Sequence, residues 1–360
     1  MAGRELRVAD DGSRSHLTER CAGGLAFRNH TRTREEHPLR HFSRFGIVGG
    51  LALLVGTLGT VTATPAYAAH VTCGQTITVS TVLDSDVGPC ATGLTIGGNN
   101  ITLDLNQFTI FGTPGTGEGP GIFIEGRPGD VVRNGTVRNF DAGVAIESGA
   151  TGNTVTRMVL QDNIGSNSGD YGDGVVLFGT GTTGNTVNGN VVRHNGPFDG
   201  IGLVGAASGN TISRNDIIDN NTGGQDTGIR IEGPGAKNNT ITGNVIRNSG
   251  LDGIEGFGFT NLNSGSVITN NVVSGNARHG IVLFRNPAAA GAANSLVQNN
   301  IISNNRGAGL LVQSLNNQLV GNRSSGNTAL DLQDTNANCD NNAWHGNSGT
   351  TFSPACTLNP

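Results

Sequence analysis

The sequence predicts an all-β solenoid, a parallel β-helix, from three observations on residues 119–332. Glycines recur at intervals of 22 to 31 residues, the period of repeat architectures. Each is followed by apolar residues at alternate positions, such as Ile201 and Leu203, as in a strand with one buried face. Gly, Asn and Thr dominate the rest, and they disfavour helices and suit turns. The repeat glycines are Gly121, Gly143, Gly174, Gly200, Gly228, Gly253, Gly280 and Gly309.

Each repeat is predicted to contain two or three short strands joined by tight corners, with successive repeats stacked in parallel. Eight repeat glycines plus the end coils predict a single-stranded solenoid of about 9 to 10 coils with one core. Parallel crossover connections are right-handed in nearly all proteins, so a right-handed β-helix is expected.

Asparagine recurs at matched corners, as in the related phrases that begin at Asn185, Asn210 and Asn239. Stacked coils lie ~4.8 Å apart, so a corner residue recurs directly above its equivalent. A buried Asn there can hydrogen-bond the next Asn and the turn backbone. The asparagine columns are therefore predicted to be structural, and apart from Ser249 we set them aside as catalytic candidates.

The chain before the repeats divides into an arginine-rich extension and a signal-like segment. Residues 1–39 show no apolar periodicity, and a disordered extension, a start codon assigned too far upstream or an unusually extended signal explains them. Residues 40–69 combine a basic beginning, an apolar run over 47–61 and an Ala-x-Ala site, which predict a secretory signal peptide. We therefore expect cleavage after Ala68 or Ala69 and a secreted, extracellular protein without a membrane span.

Removal of the leader makes the chain more acidic. The whole sequence has 22 Lys plus Arg and 27 Asp plus Glu, and residues 1–44 hold nine and six of them, which leaves 13 and 21. A net charge of −8 with no basic cluster disfavours nucleic acid and anionic membranes as partners. An extracellular polysaccharide stays open. No cofactor is evident, but calcium could bridge carboxylates to an acidic polysaccharide.

Four cysteines remain after the leader, as two pairs at opposite ends: Cys73 with Cys90 and Cys339 with Cys356. In an exported chain such pairs indicate local disulfides that staple the end coils, and metal binding is the alternative. The only Trp, Trp344, is expected either to cover the last coil or to stack on a sugar. The predicted division is extension 1–39, signal peptide 40–69, N-terminal cap 70–93, β-helix 94–333 and C-terminal cap 334–360.

The repeat phrases Asn210–Asn220 and Asp252–Ile254 resemble those of right-handed parallel β-helix proteins of the pectin-lyase-like superfamily, in particular the NosD-like and general β-helix subgroups. With its terminal cysteine pairs, the chain is similar to uncharacterised secreted proteins of actinobacteria. The resemblance implies the fold and leaves function open, because this fold hosts lyases, hydrolases, epimerases and adhesins. It does not extend to the polygalacturonase or mannuronan epimerase motifs, which are missing. The NosD resemblance also suggests a role with copper, but this chain lacks the soft sulfur ligands that copper prefers.

Chemistry-bearing residues cluster beside the repeat glycines. Asp252 and His279 directly precede glycines of neighbouring coils, while Arg230 and Glu255 lie two positions after glycines and should face outward. His279 has a pKa suited to a general acid or base, and Asp252 could orient it. Arg230 could neutralise a sugar carboxylate. The alternative is a solvated ladder of corner residues, since Asp favours the turn before Gly.

Two classes of function follow. The first is a carbohydrate-interacting protein at the cell exterior. If it is an enzyme, it is expected to be a polysaccharide lyase, hydrolase or epimerase, with these catalytic residues: Arg230, Asp252, Glu255 and His279. The second is a non-catalytic structural or adhesive surface solenoid. An aromatic content of 4% offers little surface for stacking sugars, which favours the second class. A monomer is expected in either case.

Overall fold

The structure of this chain is a computed structural model. It describes residues 67–114, 119–165, 171–220, 227–233, 235–257, 265–285, 294–339 and 341–358. The predicted extension 1–39 and the signal peptide up to residue 66 lie outside the described residues. No helix in the described part of the chain is long and apolar enough to cross a membrane.

Each coil passes through three faces, which we call A, B and C, and the strands are numbered in chain order. Face A is a 12-stranded parallel sheet. Its strands are β2 (Thr76–Ile77), β5 (Leu94–Ile96), β8 (Pro120–Glu125), β10 (Ala142–Glu147), β12 (Asp173–Phe178), β15 (Asp199–Val204), β18 (Thr227–Glu232), β21 (Ile254–Phe257), β24 (Ile281–Leu283), β27 (Leu310–Val312), β30 (Leu332–Asp334) and β32 (Phe352–Ser353).

Faces B and C are joined into a 20-stranded sheet, because two long strands, β9 (Val131–Arg138) and β11 (Thr154–Gln161), run through both. The other strands of face B are β1 (Tyr67–Ala69), β3 (Thr81–Leu83), β6 (Thr102–Asp104), β13 (Thr186–Asn188), β16 (Thr211–Ser213), β19 (Thr240–Thr242), β22 (Val267–Thr269), β25 (Leu296–Gln298), β28 (Gln318–Val320) and β31 (Ala343–His345). Those of face C are β4 (Val87–Cys90), β7 (Thr109–Gly112), β14 (Val191–Arg193), β17 (Asp216–Ile218), β20 (Val245–Arg247), β23 (Val272–Ser274), β26 (Ile301–Ser303) and β29 (Arg323–Ser325).

The predicted parallel β-helix is confirmed, and the coils outnumber the expected 9 to 10, since face A alone has 12 strands. The additional strands include β2 and β32, which lie in the segments predicted as caps. These short strands carry no repeat glycine, so the glycine period does not reveal them. Two short 3-10 helices, Ala337–Cys339 and Ala355–Leu358, follow near the C-terminal end of the described chain.

The core is a stack of aliphatic side chains that point inward from all three faces. Ile201 and Leu203 of β15 are fully buried, and so are Ile212 of β16 and Ile217 of β17. Each fully buried side chain of this size stabilises the fold by roughly 1.5–3 kcal/mol relative to an exposed one. The alternation read from the sequence therefore places the core correctly.

The asparagine columns form hydrogen-bonded ladders at the corners. Asn215 is typical: its side-chain oxygen accepts from the backbone N–H and the side-chain amide of Asn190, at 3.0 and 2.9 Å. Its own amide donates to the Val187 carbonyl at 2.9 Å and to Asn244 at 3.0 Å. Ser249 belongs to such a column, and its backbone N–H donates to Asn276. The predicted structural role of the columns is confirmed.

The residue before each ladder position adopts a left-handed conformation, with φ near +50 to +70°. Only Gly, and to a lesser degree Asn, takes this conformation without strain, which explains the many Gly-Asn and Asn-Asn pairs. A few coils place other residues there, among them Arg157 at φ 54° and Arg214 at φ 53°.

Both predicted disulfides are present. The alternative prediction, metal binding by these four cysteines, is therefore wrong. Cys73 is bonded to Cys90 and Cys339 to Cys356, with Cα–Cα distances of 5.3 and 6.3 Å. Trp344 is buried beneath the last coils, and its indole N–H donates to Asp334 at 2.9 Å. The covering role of Trp344 is confirmed, and sugar stacking by this residue is wrong.

Reduction of the two disulfides is expected to lower the melting temperature, since a closed loop of this size stabilises by about 3 kcal/mol. The central coils should stay protected in hydrogen exchange, because solenoid repeats contact mainly their neighbours. Thermal unfolding with and without reductant, followed by exchange mass spectrometry, tests this. Cys73→Ser/Cys90→Ser and Cys339→Ser/Cys356→Ser proteins separate the two ends. Loss of protection across the central coils, or an unchanged melting temperature, would contradict it.

Candidate functional site

The polar residues that directly precede the repeat glycines form a column on the outer side of face A. Asp173 pairs in register with Asp199, and Asp199 with Thr227. The backbone N–H of Gly228 donates to the carbonyl of Asp252, and that of Gly253 to the carbonyl of His279, so the column continues over two more coils. A second column runs beside it, in which Arg230 pairs with Glu255.

These side chains point away from the core but are not solvated. Arg230 and Glu255 are each 4% exposed and Asp252 is 0% exposed. The expected outward direction is present, but the solvated ladder is wrong for these three residues. Strand alternation determines the side of the sheet that a residue occupies, whereas its burial depends on what packs over that side. Residues 258–264, which follow β21, lie outside the described residues.

Arg230 is the centre of a buried ionic cluster. Its Nε lies 3.1 Å from Asp199, an ion pair without hydrogen-bond geometry. Its terminal nitrogens lie 3.4 Å from Glu232 and 3.2 Å from Glu255, and one donates to Thr227 Oγ1 at 3.1 Å. Burial raises the pKa of Asp199 and of Glu255, although the Arg230 guanidinium favours their charged forms. Burial alone would lower the pKa of Arg230, and Asp199, then Glu255 and Glu232, raise it above its ordinary value.

Arg278 forms the outer part of the same cluster. Its Nε donates to Asp252 at 2.9 Å, and its Nη2 donates to the other oxygen of that carboxylate. The same Nη2 lies 3.6 Å from Glu255. The Arg278 side chain is 30% exposed, and its guanidinium lies over the ring of Phe284, 5.2 Å from the centroid. Arg278 therefore links the buried carboxylates to the surface.

His279 is placed next to Asp252, but not as a ring–carboxylate pair. The backbone N–H of His279 donates to Asp252 at 2.8 Å. The ring Nδ1 accepts the backbone N–H of Ala308 at 2.9 Å, which requires Nδ1 to be unprotonated. Burial lowers the pKa of His279, so the ring is neutral at neutral pH with its proton on Nε2. The predicted orientation of the ring by Asp252 is replaced by a contact through the backbone.

The structure thus brings Arg230, Asp252, Glu255 and His279 together and adds Arg278 and Glu232 to them. Sequence reasoning missed these two as members of the site. A signal was present, because Arg278 precedes the column residue His279 and Glu232 lies two positions after Arg230 on the same strand side. In the described residues no group of three or more His, Cys, Asp or Glu side chains could hold a metal ion.

Family models and solved structures agree on the fold. A model described as "Right handed beta helix region" matches residues 213–353, and one described as "Periplasmic copper-binding protein (NosD)" matches residues 93–256. The Dettilon tailspike protein gp208 is 18% identical with a TM-score of 0.51, and the match covers 75% of this chain and 53% of the tailspike. This chain therefore spans about half of the tailspike.

Two further structures resemble it less closely. The A-module of the Azotobacter vinelandii mannuronan C-5 epimerase AlgE6 is 16% identical with a TM-score of 0.48, over 78% of this chain and 87% of the module. The periplasmic alginate epimerase AlgG is 16% identical with a TM-score of 0.45, over 78% and 74%. A search of curated protein sequences found no match. The chain has the right-handed parallel β-helix fold.

Proposed function

We propose that this protein is an exported β-helix that binds acidic polysaccharide at the outer surface of face A, around Arg278 and His279. One observation carries the proposal: Arg278 brings a positive charge to the surface from a buried ionic cluster. Its guanidinium is held on Asp252 and over Phe284, so little side-chain freedom is lost when a ligand binds. A planar guanidinium suits the carboxylate of an acidic sugar.

Export is supported by the predicted signal peptide and by the two disulfides, which persist in oxidising compartments. The proposed location is the cell exterior. The acidic net charge is no obstacle, because the site presents a local cation, and calcium is included below as an experimental variable.

Binding without turnover agrees best with the contacts of the cluster. Asp252 is engaged by Arg278 and by the His279 backbone, and Arg230 is surrounded by carboxylates. The role of neutralising a sugar carboxylate, expected for Arg230, passes to Arg278 because Arg230 is buried. A non-catalytic, adhesive solenoid is therefore the form of the proposal that the geometry supports.

Catalysis is the second candidate, and one observation favours it. The pKa of Glu255 is raised and that of His279 is lowered, both by burial, and both groups adjoin Arg278. A carboxyl group with a raised pKa is suited to donate a proton, and an imidazole with a lowered pKa is suited to accept one in its neutral form. In a lyase, hydrolase or epimerase, neutral His279 would accept a proton, protonated Glu255 would donate one, and Asp252 and Arg230 would hold Arg278 and Glu255 in place.

The copper binding that the description of the NosD family names does not fit this chain. The soft ligands that copper prefers are thiolates and thioethers. The four cysteines of the described chain form disulfides, and Met158 is buried in the core.

A binding assay on a panel of neutral and acidic polysaccharides, with and without calcium, tests the proposal. Arg278→Gln is expected to weaken binding of the acidic polymers at least about tenfold, as for loss of a charge-assisted hydrogen bond. Arg193→Gln is the matched control, because Arg193 is an exposed arginine on face C that contacts Gln161. Equal binding by both variants would contradict the site. Chain cleavage or epimerisation that His279→Ala abolishes would instead establish the enzyme.

A further inference from the structure

A polar cleft far from the Arg278 cluster lies at the corner between faces B and C, near the N-terminal end of the solenoid. Its volume is about 480 Å³, and it is open to solvent. Its polar lining comes from three successive coils: Asp104, Asn106, Gln107, Asn134, Thr136 and Arg157.

The cleft exists because one coil has a longer corner than its neighbours. Asp104 pairs with Arg133, and Thr109 pairs with Thr136 on the next coil. Four residues, 105–108, thus stand opposite the two residues 134–135. The extra residues include Asn106 and Gln107, both exposed and both left-handed, at φ 49° and 71°. They form a wall above the coil that carries Asn134.

Asp104 is held ionised and oriented on one side of the cleft. Arg133 Nε donates to it at 2.8 Å, and the Asn134 amide contacts both carboxylate oxygens at 3.1 Å. Together with the backbone N–H of Asn106, these contacts outweigh burial and lower the pKa of Asp104. Its charge is neutralised by Arg133, and its oxygens remain acceptors for a hydroxyl.

Arg157 supplies the opposite wall, and its position is strained. It occupies the left-handed corner position at φ 54°, where the next coil has Gly189. A non-glycine residue in this conformation costs roughly 1 kcal/mol or more and persists where something else requires it. The Arg157 side chain is exposed, and no hydrogen bond or ion pair engages its guanidinium within the described part of the chain.

From this arrangement we infer that the cleft is a binding site for a single acidic sugar residue, such as a uronate at the end of a polysaccharide chain. The sugar carboxylate pairs with Arg157, and its hydroxyls hydrogen-bond Asp104, Asn106 and Gln107. The inference relies on the proposed function only for the class of ligand, since the two sites share no residue.

Titration of the full chain with glucuronate, glucose and acetate, followed by calorimetry or NMR, tests this inference. Glucuronate is expected to bind saturably, and glucose and acetate much more weakly, because each offers only half of the contacts. Arg157→Gly should reduce glucuronate affinity at least about tenfold, as for a lost charge-assisted hydrogen bond. Its melting temperature should not fall, because Gly suits this backbone conformation.

Arg214→Gly is the matched control. Arg214 occupies the same left-handed column two coils further on, and its Cγ lies 3.9 Å from where a Cβ on Gly243 would stand, so its side chain extends away from the cleft. Equal effects of Arg157→Gly and Arg214→Gly would overturn the inference, as would acetate binding as tightly as glucuronate. If polymer binding depends on Arg278 while glucuronate does not bind, this inference fails and the proposed function stands. If glucuronate binds but no acidic polysaccharide binds at Arg278, this inference stands and the proposed function fails.

Discussion

Replacing Asn215 by alanine is expected to destabilise the protein by about 4 kcal/mol or more, since each buried polar group left without a partner costs about 1–3 kcal/mol. The substitution removes the acceptor of the Asn190 backbone N–H and side-chain amide, and the donor to the Val187 carbonyl. All these groups are buried, so water cannot replace Asn215. Urea and thermal unfolding followed by circular dichroism measure the loss.

Asn188→Ala is the control for this substitution. Asn188 lies on the outer side of β13 and contacts only Ser213 Oγ, at 3.3 Å, among the hydrogen bonds of the described residues. Its removal should change the free energy of unfolding by less than about 1 kcal/mol. Similar losses for both substitutions would show that the ladder contributes no more than a surface asparagine.

The ladder can also be tested in the opposite direction at Ser249. Its hydroxyl is buried and has no hydrogen-bond partner among the residues that the structure describes. Ser249→Asn should restore the acceptor for Asn220 and stabilise the protein by about 1 kcal/mol. The same column holds asparagine on both neighbouring coils, Asn220 and Asn276, so this corner suits an asparagine side chain.

The fold could be predicted from sequence because each coil repeats the same physical solution. Alternating residues such as Ile229 and Ile231 enter the core, and ladder positions such as Asn244 recur at one corner. The end coils were underestimated, since β2 and β32 rely on pairing with their neighbours and on the disulfides rather than on a repeat glycine.

The site was predictable only as a set of columns. Register follows from the repeats, so the proximity of Arg230 to Glu255 and of Asp252 to His279 could be anticipated. Contacts between individual side chains could not be anticipated, because packing between neighbouring coils determines the rotamer of each side chain. Arg278 takes the Asp252 carboxylate that had been assigned to the His279 ring. The cleft at Arg157 was missed as well. The corner at residues 105–108 is two residues longer than the corner opposite it, and this difference leaves the repeat motifs unchanged.

Replacing Arg230 by methionine is expected to destabilise the protein by about 3–5 kcal/mol at neutral pH, since removal of one partner leaves buried charges uncompensated. Asp199 and Glu255 would lose this partner, as they lie 3.1 and 3.2 Å from the guanidinium. Glu255 would keep only the weaker contact with Arg278 at 3.6 Å. The exposed arginine Arg247, paired with Asp216 at 3.4 Å, gives the control Arg247→Met, for which a loss below about 1 kcal/mol is expected.

The loss at Arg230 should depend on pH in a defined direction. The folded-state pKa values of Asp199 and Glu255 are raised above their ordinary values by burial, and without Arg230 they rise further. A carboxyl group with a raised folded-state pKa stabilises the fold below its unfolded pKa, and this stability is lost as pH rises through the folded pKa. The deficit of Arg230→Met should therefore shrink as pH falls from neutral towards the ordinary carboxyl range near pH 4. Unfolding of both proteins across this range measures the difference. A deficit that stays constant or grows on acidification would show that Arg230 acts through packing rather than charge.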